Sequence, residues 1–140
     1  MSGDTKPPQV DTGGVLMEKI CLDFKAALDF LKGDPATIEK LMYYADREEL
    51  CITSMTLMHL YETVSRQDVV GAFAANVTIL PFDKKAAQMA TKVMNELREH
   101  GESVQITDSL LTAGVCMAND ALLYAGTPGN YVKIKGLKKV

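Results

Sequence analysis

Short apolar runs alternate with amphipathic stretches along nearly the whole chain, and this alternation narrows the fold more than any other feature. The runs are Lys19-Ile20-Cys21-Leu22-Asp23, Leu50-Cys51-Ile52-Thr53, Thr78-Ile79-Leu80-Pro81-Phe82 and Ala121-Leu122-Leu123-Tyr124. Continuous short apolar segments of this kind are the pattern of strands buried on both faces. A fifth, at residues 131–134, predicts an edge strand.

The stretches between them carry helix signals. Residues 26–31 form a helical segment that stops at Lys32-Gly33-Asp34-Pro35, where Gly serves as a C-cap and Pro restarts the chain. Residues 36–47 predict an amphipathic helix with Ile38, Leu41, Met42 and Ala45 inside. Ser54 is positioned to cap a helix reaching residue 64, and residues 69–75 are short helical or irregular. Asp83 precedes the clearest helix, residues 84–100, in which Ala86, Ala90, Val93 and Leu97 recur at helical spacing and Gly101 ends the pattern. Thr107-Asp108 opens a further helix to about residue 117.

Strands alternating with helices imply right-handed crossovers and a mainly parallel sheet covered on both faces. In such sheets functional side chains gather beyond the carboxyl ends of the strands. Asp23 and the helix starts near Ser54 and Asp108 are expected on that rim.

A chain of 140 residues, 47% hydrophobic, suits one compact domain. Residues 1–14 are polar with Pro and Gly, and residues 1–17 are expected to form a flexible tail, leaving 18–140 as the domain. A net charge of -3 excludes a generally basic, nucleic-acid-coating surface while leaving a local basic patch open. Cys21, Cys51 and Cys116 form no CxxC pair, so they are expected to be reduced core thiols of a cytoplasmic protein. No apolar run approaches the roughly 20 residues of a membrane span, and the N-terminus lacks the apolar middle of a signal peptide.

Four segments, in this order and spacing, carry a resemblance to a known family. They are the strand closing on Asp23 with Ala27-Leu28-Asp29-Phe30-Leu31-Lys32-Gly33-Asp34, then Ile52-Thr53-Ser54-Met55-Thr56-Leu57-Met58-His59-Leu60-Tyr61, then Ile79-Leu80-Pro81-Phe82-Asp83, and last Ile106-Thr107-Asp108-Ser109-Leu110-Leu111-Thr112-Ala113-Gly114. Across residues 18–140 the chain resembles PIN domains, particularly VapC-type ribonuclease toxins of toxin–antitoxin systems. The resemblance implies an α/β, three-layer sandwich with a central, mostly parallel sheet of four or five strands. It also implies a Mg²⁺- or Mn²⁺-dependent endoribonuclease acting on RNA, a homodimer, and an antitoxin protein as partner. Such enzymes need carboxylates from separate segments because hard cations take oxygen ligands from several directions.

Carried over residue by residue, the resemblance matches Asp23 and Asp108 to two of the family's acids, as metal ligands and catalytic groups. Lys25 stands where the family has a small polar residue, and His59 where it has glutamate. Glu62, one turn further along, is the nearest substitute. Thr127 and Asn130 replace the Asn and the acid that precede the final aromatic residue. The pattern therefore implies an impaired catalytic site, with a non-catalytic binding or dimerisation module as the alternative.

Each residue also has a plainer explanation. Asp23 and Asp108 suit helix starts whatever the function, Glu62 suits a solvated helix face, and His59 a core or surface position. The Lys25 ammonium either enters the site as a counter-ion or snorkels away. Lys133, Lys135, Lys138 and Lys139 either meet phosphates or form a solvated end. Met55 and Met58 are core filler or part of a dimer face.

Overall fold

The computed structural model describes residues 17–140; the tail expected over residues 1–17 falls, but for Met17, outside the described residues. The elements run β1 (Lys19–Leu22), α1 (Phe24–Leu31), α2 (Pro35–Ala45), β2 (Glu49–Thr53), α3 (Ser54–Thr63), α4 (Gln67–Ala74), β3 (Thr78–Leu80), α5 (Lys84–Glu99), α6 (Asp108–Ala118) and β4 (Leu122–Tyr124). The sheet order is β3-β2-β1-β4, and every pairing is parallel. The expected α/β three-layer architecture is therefore present, with four strands.

Alternation along β1 feeds two separate cores. Cys21 joins Cys51, Leu123, Val93, Leu110 and Cys116 on the side covered by α5 and α6. Leu22 joins Ile52, Leu28, Leu41, Leu60 and Phe73 on the side covered by α1 to α4. Burial on both faces is why the strands are apolar without interruption. The three cysteines are free and buried as expected, and Cys21 lies directly opposite Cys51 in the parallel register.

The packing of α5 against α6 depends on a small-residue contact. A Cβ on Gly114 would lie 2.8 Å from both the Ala86 carbonyl and the Ala90 Cβ. Glycine in mid-helix is unfavourable by about 1 kcal/mol, and here close approach of two helices requires it.

Local signals account for most boundaries. Asp23, Asp34, Asp83 and Thr107 each accept an amide hydrogen bond as N-caps. Gly101, with φ of 80°, ends α5 in the left-handed region. Four expectations need correction. Thr53, not Ser54, caps α3, because its hydroxyl accepts from the Thr56 amide. On α2 the inward residues are Thr37 and Leu41, whereas Met42 and Ala45 face outward. The third strand stops at Leu80, since Pro81 has no amide hydrogen to continue a ladder.

The expected strand over residues 131–134 is absent. Pro128–Tyr131 forms a 3₁₀ turn that rolls Tyr131 inward, leaving it 2% exposed. The last residues take the place beside β4 instead: Leu123 donates to the Lys138 carbonyl at 2.8 Å, and Val140 donates to the Leu123 carbonyl at 3.0 Å.

Candidate functional site

The carboxyl ends of β1, β2 and β4 and the starts of α1, α3 and α6 surround a cleft of about 200 Å³. Its lining includes Asp23, Lys25, His59, Asp108, Thr127 and Asn130, so residues separated in sequence do meet at one rim. Glu62 does not line it.

Asp23 sits at the floor, 2% exposed. Its Oδ1 accepts from the Ala26 amide at 2.8 Å and from the Gly126 amide at 2.9 Å. Its Oδ2 accepts from the Thr127 amide at 3.3 Å, the Thr127 hydroxyl at 3.1 Å and the Tyr131 hydroxyl at 3.4 Å. A carboxylate has roughly four lone-pair positions, and these donors fill them. Burial, and next the Asp23 charge, push the Tyr131 phenol well above its ordinary pKa, so it remains a neutral donor to that carboxylate.

Gly126 makes this arrangement sterically feasible. A Cβ there would lie 2.6 Å from the Ala26 nitrogen and 2.8 Å from the Lys25 Cβ. The loop after β4 must therefore lie almost in contact with α1 for its amides to reach Asp23. Gly126 and Tyr131 were missed as site residues; the only cue in the sequence is the Gly-Thr-Pro-Gly turn following an apolar run.

At the mouth, His59 Nε2 lies 3.0 Å from Asp108 Oδ2, and His59 Nδ1 lies 3.8 Å from Glu62 Oε1. The Phe24 ring sits 5.6 Å from the imidazole, inclined at 60°, and limits its tilt. Glu62 is 78% exposed and approaches the histidine rather than the cleft. Lys25 does not enter the cleft as a counter-ion. Its ammonium is bound to both carboxylate oxygens of Asp29, at 2.6 and 2.7 Å, one turn along the same helix.

A Mg²⁺ or Mn²⁺ ion of the kind the resemblance implies needs several free oxygen ligands around it. Asp23 has its oxygens engaged, Asp108 is paired with an imidazole, and no third carboxylate lines the cleft. Among the described residues, no group of three or more His, Cys, Asp or Glu side chains converges as a metal set. The residues present do not fit a hard cation held by a carboxylate cluster.

Among the described residues, no helix is long and apolar enough to cross a membrane. No family model matches the chain, and no curated protein matches it in sequence. Solved structures do match in shape. The chain is similar to VapBC2 from Rickettsia felis, in a complex with a promoter DNA fragment, at 18% identity and a TM-score of 0.76, covering 87% of this chain and 97% of that one. It is similar to DNA-bound VapBC from Salmonella typhimurium at 23% identity and a TM-score of 0.74, covering 89% and 98%. Against VapBC-1 from nontypeable Haemophilus influenzae the values are 16%, 0.72, 87% and 96%. Identities this low speak to shape, and the shape is unambiguous: the chain has the fold of a VapC-like PIN domain.

Proposed function

We propose that this chain is a VapC-type PIN protein whose metal-dependent endoribonuclease site is impaired, while the surfaces for partner binding are kept. The observation that carries the reading is the state of Asp23. Its carboxylate, matched to a metal ligand by the resemblance, is saturated by five donors from α1 and the loop after β4. His59 and Asp108 are paired with each other in addition. Displacing that many hydrogen bonds from a buried carboxylate opposes ion binding, because each buried donor left unpaired costs about 1–3 kcal/mol.

The partner in this reading is a small antitoxin protein, as in the VapBC complexes of the same fold. An apolar groove of about 460 Å³ between α1, α2 and α4, lined by Phe30, Leu41, Met42, Phe73 and Val77, supports that assignment. Met58 and Tyr61, exposed and one turn apart on α3, support a homodimer. The site of action is the cytoplasm. The alternative is a module with no catalysis at all, with RNA or protein binding its whole role.

The deciding experiment is cleavage of single-stranded RNA by the purified protein in millimolar Mg²⁺ or Mn²⁺. Turnover at or near background is expected. Robust metal-dependent cleavage, lost in Asp108→Asn, overturns the impaired-site reading and establishes the enzyme.

A further inference from the structure

We propose that the groove between the end of α5 and residues 129–135 seats a second copy of this chain, in a two-fold contact separate from the α3 face. Two adjoining cavities, of about 340 Å³ and 380 Å³, make up this groove. They share Leu97, Glu102, Val132, Lys133 and Ile134, so they form one continuous depression. Val93, Leu97, Leu110 and Ile134 give it an apolar floor.

Apolar side chains also stand up around it. Val132 lines both cavities and is 68% exposed; Ile106, between the lining residues Gln105 and Thr107, is 70% exposed. These are the two most exposed large hydrophobic side chains among the described residues. Exposed apolar surface gathered in this way marks an interaction face. A two-fold contact requires one face to complement itself, and here a protruding aliphatic side chain stands beside a recess. Ile106 of each copy enters the groove of the other and covers its Val132.

The charges choose the occupant. Lys133 is already paired with Glu102 at 2.8 Å, and the His100 ring meets the Glu96 carbonyl at 2.8 Å through Nδ1. That leaves the side chains of Glu96 and Lys135, both exposed and both on the groove, neither with an ion-pair partner among the described residues. An anionic ligand would face Glu96, and a cationic one would face Lys135. A second copy related by a two-fold axis satisfies both, because Lys135 meets the second copy's Glu96 and the reverse pair forms with it. Asn130 lines the groove and the cleft of Asp23 alike, so the second copy stands beside the cleft mouth. The inference goes beyond the proposed function, whose homodimer rests on Met58 and Tyr61, and does not depend on catalysis.

Sedimentation velocity on the full chain tests it. The first sample carries Met58→Asp, a substitution at an exposed position that removes the α3 contact. Dimers at micromolar concentration are still expected. In that background Ile106→Asp and Val132→Asp should each weaken the dimer about tenfold or more, since each places a charge in the buried centre of the contact. Glu96→Lys and Lys135→Glu should each weaken it several-fold by opposing like charges. Mixing those two variants should restore association, because in the mixed dimer both cross-contacts again join opposite charges. Charges needed only for folding would give no such recovery. In the chain without Met58→Asp, assembly beyond the dimer is expected, and Ile106→Asp should limit it to the dimer. A monomeric Met58→Asp chain at these concentrations overturns the proposal, whether residues 1–16 or another protein then covers the groove. So does an Ile106→Asp variant as associated as its parent, or a mixture no stronger than either single variant. If the α3 contact is the one that fails, the unmodified chain stops at a dimer that Ile106→Asp dissolves and Met58→Asp leaves intact.

Discussion

Thr127 grips Asp23 twice, donating its amide at 3.3 Å and its hydroxyl at 3.1 Å to the same carboxylate oxygen across 104 residues of chain. With the Gly126 amide on the other oxygen, this ties the loop after β4 to the start of α1. Asp23→Ala should destabilise the protein by about 2–4 kcal/mol, combining loss of an N-cap with several buried donors left unpaired. Urea unfolding gives the value; a loss under about 1 kcal/mol would mean that water replaces the carboxylate at little cost.

The contact of Gly114 with Ala86 and Ala90 sets two opposing effects against each other. Alanine at position 114 gains up to about 1 kcal/mol of helix propensity. Its Cβ must nevertheless sit 2.8 Å from a backbone carbonyl and from another Cβ, and overpacking of this kind costs about 1–3 kcal/mol. The clash with rigid backbone should win, so Gly114→Ala is expected to lower the melting temperature. An unchanged or raised melting temperature would show that α5 and α6 separate without penalty.

Lys25 is paired with Asp29, so its charge is already compensated outside the cleft. Replacement by Asn removes one exposed i,i+4 pair, worth about 0.3–0.5 kcal/mol. Divalent binding should not improve in that variant, because the obstacle is the saturation of Asp23. Thermal shifts with Mg²⁺, compared between wild type and Lys25→Asn, should coincide; a clear gain in the variant would place the ammonium in the site after all.

Burial pushes the Cys51 thiol up to about 12, from an ordinary value of 9.0. In the unfolded chain the thiol ionises above pH 9, while in the folded chain it stays protonated until about 12. The folded state therefore holds more protons through that window, and its stability must fall as pH rises. Cys51 alone contributes a slope of about 1.4 kcal/mol per pH unit between the two values. Stability measured from pH 9.5 to 11.5 should decline less steeply in Cys51→Ala than in wild type; parallel curves would contradict the buried neutral thiol.

Much of this protein was legible before any tertiary contact was known. Strand and helix signals act over a few residues, so the apolar runs at β1, β2 and β4, the caps at Asp83 and Thr107, and the stop at Gly101 follow from neighbours alone. That Asp23 and Asp108 lie at one rim was legible too, because parallel strands bring their carboxyl ends to one side. What those side chains do there was not. Asp23 draws its donors from Gly126, Thr127 and Tyr131, more than a hundred residues away, and only the folded loop brings them within hydrogen-bond reach. His59 looked equally at home in a core or on a surface, until α3 and α6 set its ring against Asp108. Lys25 settled on Asp29, and Met42 turned outward, for the same reason: periodicity defines a helix, but the direction a helix faces is decided by what packs against it.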